Sequence, residues 1–208
     1  MSSISIIGAG NMAAAIGALA LKGGNTVEII SRDADKAAAL ARVLGDRATV
    51  GTWGAPPDGD IVVLAVLYAG AVPVVTEYEE ALAGKILIDI TNPFNADATG
   101  LAVAQGSSVA QMISAVAPVR TPVVKAFNTL FSHVLAAGRP VDVFMAGDDA
   151  QAKESVAAFI TSLGLRPRDA GDLSMAHWLE GAGLLEMGLA RTGLGFNIAL
   201  SVTIEGED

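Results

Sequence analysis

Directly after the short apolar run Ile4 to Ile7 the chain reads Gly8-Ala9-Gly10-Asn11-Met12-Ala13, a G-x-G-x-x-A turn that leaves a strand and opens a helix. Each small residue has a physical task. Gly8 makes the tight turn, and Gly10, lacking Cβ, lets backbone approach a pyrophosphate. Ala13 lets the helix sit close to the sheet. The helix N-terminus then offers free N–H groups and a partial positive charge to phosphate. This turn predicts a βαβ dinucleotide-binding unit in which Gly8, Gly10, Asn11 and Met12 face the cofactor.

The rest of the chain agrees with that start. Val27 to Ser31, Thr49-Val50, Ile61 to Val66, Ile86 to Ile90 and Val123 to Phe127 are strand-length apolar runs. Helical segments alternate with them: Asn11 to Lys22, Ala34 to Leu44 with Asp33 as N-cap and Gly45 as stop, and Val72 to Leu82 after a proline start. Such alternation predicts an α/β fold, a Rossmann-type doubly wound parallel sheet over residues 1–130. Residues 131–208 are expected to form a small C-terminal extension: a strand Val141 to Ala146, a helix Ala150 to Leu163, an extended Arg166 to Asp169 and one long helix, Leu173 to Thr192. Composition supports buried parallel strands, since 52% of the 208 residues are hydrophobic but only 5% aromatic. The acidic trio Glu77, Glu79 and Glu80 reads as a solvated helix face.

The end of the second strand sets the expected nucleotide. A carboxylate there would hold a ribose 2′-hydroxyl and repel a 2′-phosphate. This strand ends in Ile30-Ser31-Arg32, with Lys36 one helical turn on. A hydroxyl and two cations favour NADP(H) over NAD(H). Further ligand contacts are expected beyond the carboxyl ends of the other strands, at Ala65, Val66 and Tyr68 on the ribose and pyrophosphate side and at Asn92 and Asn128 nearer the nicotinamide.

Much chemistry is excluded. There are no cysteines, so disulfides, thiolate metal sites and thiol catalysis are ruled out. The two histidines, His133 and His177, have no partner at metal-ligand spacing, and no metal site is expected. A Tyr-x-x-x-Lys pair would need lysine at 72 or 82, where the chain has Val72 and Leu82. A net charge of −9 without a basic run disfavours nucleic acid and anionic membranes. No apolar run reaches the ~18 residues that span a bilayer. With the first strand starting at Ile4, no secretory signal is expected and the chain reads as cytoplasmic. The candidate catalytic residues are Asn128 and His133, both after the last parallel strand; His177 reads as structural.

Gly8-Ala9-Gly10-Asn11-Met12, Ser31-Arg32, Lys125-Ala126-Phe127-Asn128-Thr129 and Asp169-Ala170-Gly171 together resemble the NADPH-dependent reductases of coenzyme F-420, a deazaflavin. The oxidoreductase domain of the STEAP metalloreductases and small bacterial dinucleotide-binding enzymes share the pattern. The resemblance implies that Ser31, Arg32 and Lys36 hold the 2′-phosphate. It also implies a second redox cofactor near Asn128-Thr129 and the C-terminal helix. Two departures stand out: Leu67 where many relatives have proline, and Asn128 where deazaflavin reductases have histidine.

Three functions follow as expectations. The first is an NADPH-dependent oxidoreductase passing hydride between NADP(H) and a flavin or deazaflavin, which needs positioning more than acid–base help. The second is reduction of a small imine or carbonyl, which needs a placed proton donor. The third is a non-catalytic NADPH-binding protein. A homodimer is also expected, because Gly181, Gly183, Gly188, Gly193 and Gly195 crowd the segment Leu173 to Phe196. Glycine in a helix costs up to about 1 kcal/mol against alanine, so close approach of another backbone or a ligand is implied.

Overall fold

A computed structural model describes residues 2–206. Eight strands form one sheet in the order β3-β2-β1-β4-β5-β6-β7-β8. The strands are β1 Ser3–Ile7, β2 Thr26–Ile30, β3 Ala48–Val50, β4 Ile61–Leu64, β5 Ile86–Asp89, β6 Val123–Ala126, β7 Asp142–Gly147 and β8 Arg166–Asp169. The first six are mutually parallel, and their 3-2-1-4-5-6 order is that of a dinucleotide-binding sheet. β7 runs antiparallel to β6, and β8 parallel to β7. Residue 130 therefore falls between β6 and β7 of a continuous sheet.

The helices are α1 Asn11–Lys22, α2 Ala34–Leu44, α3 Tyr68–Tyr78, α4 Val109–Val116, α5 Ser132–Ala136, α6 Ala150–Ser162 and α7 Ala176–Leu189. They cover both faces of the sheet. One apolar layer gathers Ile4, Ile6, Ile16, Ile29, Val63, Phe127 and Phe159, and the other gathers Ile7, Ile30, Leu64, Val75, Leu87 and Ile113. Consecutive strand residues alternate between the two layers, which is why these strands read as unbroken apolar runs.

Local chemistry explains most boundaries. Asp33 caps α2 as expected, accepting from the Lys36 N–H. Asp149 caps α6 in the same way. The helix expected from Val72 begins earlier, at Tyr68, and holds Pro73 inside it. It closes in a 3-10 turn, Glu79–Leu82. The segment Leu173 to Thr192 is nearly as expected: a 3-10 turn Leu173–Met175, then α7, then a π-helical turn Ala190–Leu194. α4 and α5 carried no clear periodic signal because they are short.

A buried ion cluster joins α7 to the sheet. Lys125 on β6 and Asp89 at the end of β5 have no solvent exposure, and neither has Glu180 on α7. The Lys125 ammonium lies 2.8 Å from Asp89 Oδ2 and 2.7 Å from Glu180 Oε1, and it also donates to the Thr91 carbonyl at 2.6 Å. Glu180 Oε1 accepts a further bond from the Val109 N–H, the first residue of α4. Burial pushes the Glu180 carboxyl up, although Lys125 opposes the rise. The neighbouring charge of Asp89 adds a smaller push in the same direction. Lys125→Met would leave both acids without a counter-charge. We expect a loss of about 3–5 kcal/mol by urea denaturation, smaller at pH 5 than at pH 8 because protonation relieves the stranded carboxylates.

Candidate functional site

The carboxyl ends of β1, β2, β4, β5 and β6 converge on one edge of the sheet. At the end of β1, Gly8 has φ +133°. A Cβ built on it would lie 2.1 Å from the Ala65 carbonyl oxygen, so only glycine fits between β1 and the end of β4. Its N–H donates to the Ile30 carbonyl at 2.8 Å, tying the turn to β2 as well. Gly10 is the N-cap of α1, and no side chain caps the helix. Space is open where its Cβ would stand. An uncapped helix start facing open space beside a glycine is a cradle for phosphate, and the residues present fit a dinucleotide. Asn11 is exposed there, and Met12 packs its side chain on the core beneath.

Ser31, Arg32 and Lys36 lie together past the end of β2. Ser31 Oγ accepts from the Asp33 N–H at 3.2 Å. The Lys36 backbone N–H, and then its ammonium 3.3 Å away, hold the Asp33 carboxyl below its usual range. Arg32, expected at the 2′-phosphate, is held by two neighbours. Its guanidinium stands 4.8 Å above the Trp53 ring and 2.8 Å from Glu77 Oε2. Glu77, read from sequence as part of a solvated face, also accepts from Trp53 Nε1 at 2.5 Å. These two bonds, Trp53 first, lower its pKa. Sequence reasoning missed Trp53 and Glu77 because they lie far from the strand end along the chain. Val66 and Tyr68 border the other apolar layer, half-buried, where α3 begins.

At the far end of the crevice two amides grip each other. Asn92 Nδ2 donates to the Asn128 carbonyl at 2.6 Å, and Asn128 Nδ2 donates to Asn92 Oδ1 at 2.9 Å and to the Leu179 carbonyl of α7 at 2.8 Å. Phe127, just before, has φ +61°, a left-handed geometry that costs a bulky residue energy. Its fully buried ring against Phe159 holds the turn that presents Asn128. α7 passes close over the pair: a Cβ on Gly183 would meet Asn92 Oδ1 at 2.9 Å. This contact explains one of the five C-terminal glycines. Unpartnered buried oxygens mark the same region: Thr91 Oγ1, Asn128 Oδ1, Thr129 Oγ1, Glu180 Oε2 and Glu186 Oε1.

His133, the other candidate catalytic residue, lies on α5. Its Nε2 is 2.7 Å from the Phe196 carbonyl, and its ring stacks on Phe131. It borders a cleft of about 400 Å³ between α1 and α5 that also includes Asn11. His177 Nδ1 meets the Ser107 carbonyl at 2.9 Å, in keeping with a structural part. A larger cavity, about 710 Å³, lies at the opposite edge of the sheet, around Arg120, Asp148 and Asp149.

Residues 3–93 match the family described as NADP oxidoreductase coenzyme F420-dependent. Over 144 residues the chain is 31% identical to the F420-dependent NADP reductase of Methanocaldococcus jannaschii, covering 65% of this chain and 64% of the relative. It is 28% identical over 181 residues to the metalloreductase STEAP3 of Rattus norvegicus, covering 85% of this chain but 35% of the rat protein. The chain thus spans about a third of the latter's length. An Arthrobacter sp. FB24 crystal structure, provisionally described as an F420-dependent NADP reductase, superposes with a TM-score of 0.86 at 25% identity, over 98% of this chain and all of that one. The kinship is with NADP-dependent oxidoreductases. Among the described residues no helix is long and apolar enough to cross a membrane, and no group of three acidic or histidine side chains is placed to hold a metal.

Gly183→Ala tests the close approach of α7. The added methyl must push Asn92 off Asn128, and we expect a loss of about 1–3 kcal/mol in thermal unfolding, larger than for Gly181→Ala, where space is open.

Proposed function

We propose that this protein is an NADPH-dependent oxidoreductase that transfers hydride between NADP(H) and a flavin or deazaflavin acceptor. The observation that carries the reading is the convergence, on one sheet edge, of the uncapped α1 turn, the Ser31–Arg32–Lys36 cluster and the Asn92–Asn128 pair under α7. The cofactor, when bound, supplies the hydride. Gly8, Gly10, Asn11 and Met12 would hold its pyrophosphate, Arg32 and Lys36 its 2′-phosphate, and Ala65, Val66, Tyr68, Asn92 and Asn128 would line the rest. The family match and the archaeal relative support this acceptor class. Anaerobic NADPH oxidation with coenzyme F-420, FMN and FAD, against cyclic imines and aldehydes, tests it; turnover of imines alone would replace it. One observation favours that second reading: a buried acid, Glu186, stands on α7 one turn past Gly183, where reduction of an imine or carbonyl calls for a proton donor.

The phosphate reading has its own test. Arg32→Ala should weaken NADPH by roughly 1.5–3 kcal/mol, ten- to a hundredfold in dissociation constant, while NADH changes little. Equal losses would remove Arg32 from phosphate recognition.

We further propose a homodimer through α7. The only charged residues of this helix, Glu180 and Glu186, are buried. Its outer side instead shows Trp178, 66% exposed, and Leu185, 56% exposed, with open space at Gly181 and Gly188. An outward apolar stripe flanked by glycines fits a second copy of the same helix. Light scattering should give twice the mass of one chain, and Gly188→Leu should return the protein to monomers while leaving NADPH binding intact; a monomeric wild type would remove the dimer.

A further inference from the structure

Hydride transfer from NADPH leaves the reduced acceptor one proton short, whether the acceptor is a flavin, an imine or a carbonyl. Of the two sequence candidates, Asn128 carries an amide that does not give up a proton near neutral pH, and His133 Nε2 meets the Phe196 carbonyl. The structure supplies a candidate in the C-terminal helix.

Glu186 is 2% exposed, and its Oε1 has no hydrogen-bond partner. It occupies the face of α7 that carries Leu179, whose carbonyl Asn128 holds, and Gly183, which touches Asn92. Three residues beyond Gly183, it stands about 4.5 Å further along the axis and about 60° round from it. The chain then folds back over it. The Phe196 carbonyl lies against His133, the Leu200 N–H reaches the Glu186 carboxyl, and the Val202 N–H donates to Asp142 at 2.7 Å. This strap covers the acid in the resting protein.

Among the described residues no cation is found against Glu186. The charged groups on surrounding elements are engaged elsewhere: Lys125 with Asp89 and Glu180, Arg166 and Arg168 with Asp142, and Arg191 with the carbonyls of Asp97 and Ala98. Asp142 is held below the usual carboxylate range: burial works against this, but the Val202 N–H and the two arginines outweigh it. Burial raises the Glu186 carboxyl to about 7, with only the Leu200 N–H opposing. Near neutral pH it therefore exists in both protonation states.

We propose that Glu186 is the catalytic acid that supplies the proton accompanying hydride transfer. The inference rests on the oxidoreductase reading above. The O–H bond of Glu186 would break as its proton moved to the acceptor's heteroatom, with NADPH, when bound, supplying the hydride for the electrophilic atom. NADP⁺ and the Glu186 carboxylate remain, and solvent returns the proton in the next cycle. The positive nicotinamide of NADP⁺ would stabilise the carboxylate, which the neutral ring of NADPH cannot do.

That difference gives a test without an acceptor. Calorimetric titration near pH 7, in two buffers of different ionisation enthalpy, should show proton release on binding NADP⁺ but not NADPH. Glu186→Gln should abolish the release, keep both affinities within about threefold and melt at or above the wild type at pH 8. The stability sign follows from the raised pKa: the folded acid holds its proton where the unfolded one has lost it, so wild-type stability falls as pH rises from about 4.5 to about 7. With whichever of FMN, coenzyme F-420 or 1-pyrroline turns over fastest, kcat of Glu186→Gln should drop about 100-fold and lose its ionisation near 7. Nucleotide binding with equal proton release in the two proteins, or an unchanged kcat, overturns the role of Glu186 and leaves the oxidoreductase reading standing. Failure to bind either nucleotide would sink that reading and the inference with it.

Discussion

The buried ammonium of Lys125 organises the distal half of the crevice. It reaches Asp89 on the neighbouring strand, the Thr91 carbonyl beyond it and Glu180 on α7, and Glu180 in turn engages the first N–H of α4. Three charges without solvent are expensive, and replacing such a cluster by apolar side chains is often neutral or stabilising. What an apolar core would not supply is register. An ion pair accepts one arrangement of strand end and helix, so α7 is fixed along its own axis to within a hydrogen bond. Leu179 then meets Asn128, Gly183 meets Asn92, and Glu186 takes its place beyond them.

Seen this way, the amide pair is part of the same construction. Asn92 and Asn128 were legible as polar residues at strand ends, where turn chemistry and ligand contact both fit. In the structure they bond each other and the backbone of α7, leaving Asn128 Oδ1 without a partner. The left-handed Phe127 behind them is the strained residue that makes this possible, and its burial against Phe159 holds the strain. A rigid pair with one free acceptor, beside unpartnered Thr91 and Thr129 hydroxyls, is a preorganised polar edge rather than a flexible one.

The proximal half was far easier to read from sequence. The turn at Gly8 and Gly10, the cap at Asp33 and the strand-end cluster at Ser31 and Arg32 are local, each spanning a few residues whose backbone requirements are chemically narrow. The alternating apolar runs gave the parallel sheet for the same reason. The long-range partners were not legible. Lys125 in the middle of an apolar strand gives no sign that Asp89 and Glu180, dozens of residues away, close around it. Trp53 and Glu77 do not announce that they flank Arg32. Nothing local marks Glu186, because its burial depends on a strap that returns only after the helix has ended. The sequence gives no local ground for preferring one glutamate over another as a proton donor.

The charge pattern of α7 follows from these constraints together. Soluble helices normally turn carboxylates outward and aliphatic side chains inward. Here both carboxylates point in and Trp178 and Leu185 point out. Glu180 is drawn inward by Lys125. Glu186 has no such partner, so the sheet does not require it to be buried, and an uncompensated buried acid lowers stability at neutral pH. A helix that keeps such a group, with glycine facing one asparagine and open glycines on the opposite side, is poorly explained as a support for the sheet alone. Its inner face is shaped around the crevice, and its outer face lacks the polar cover that a permanently solvated helix would carry.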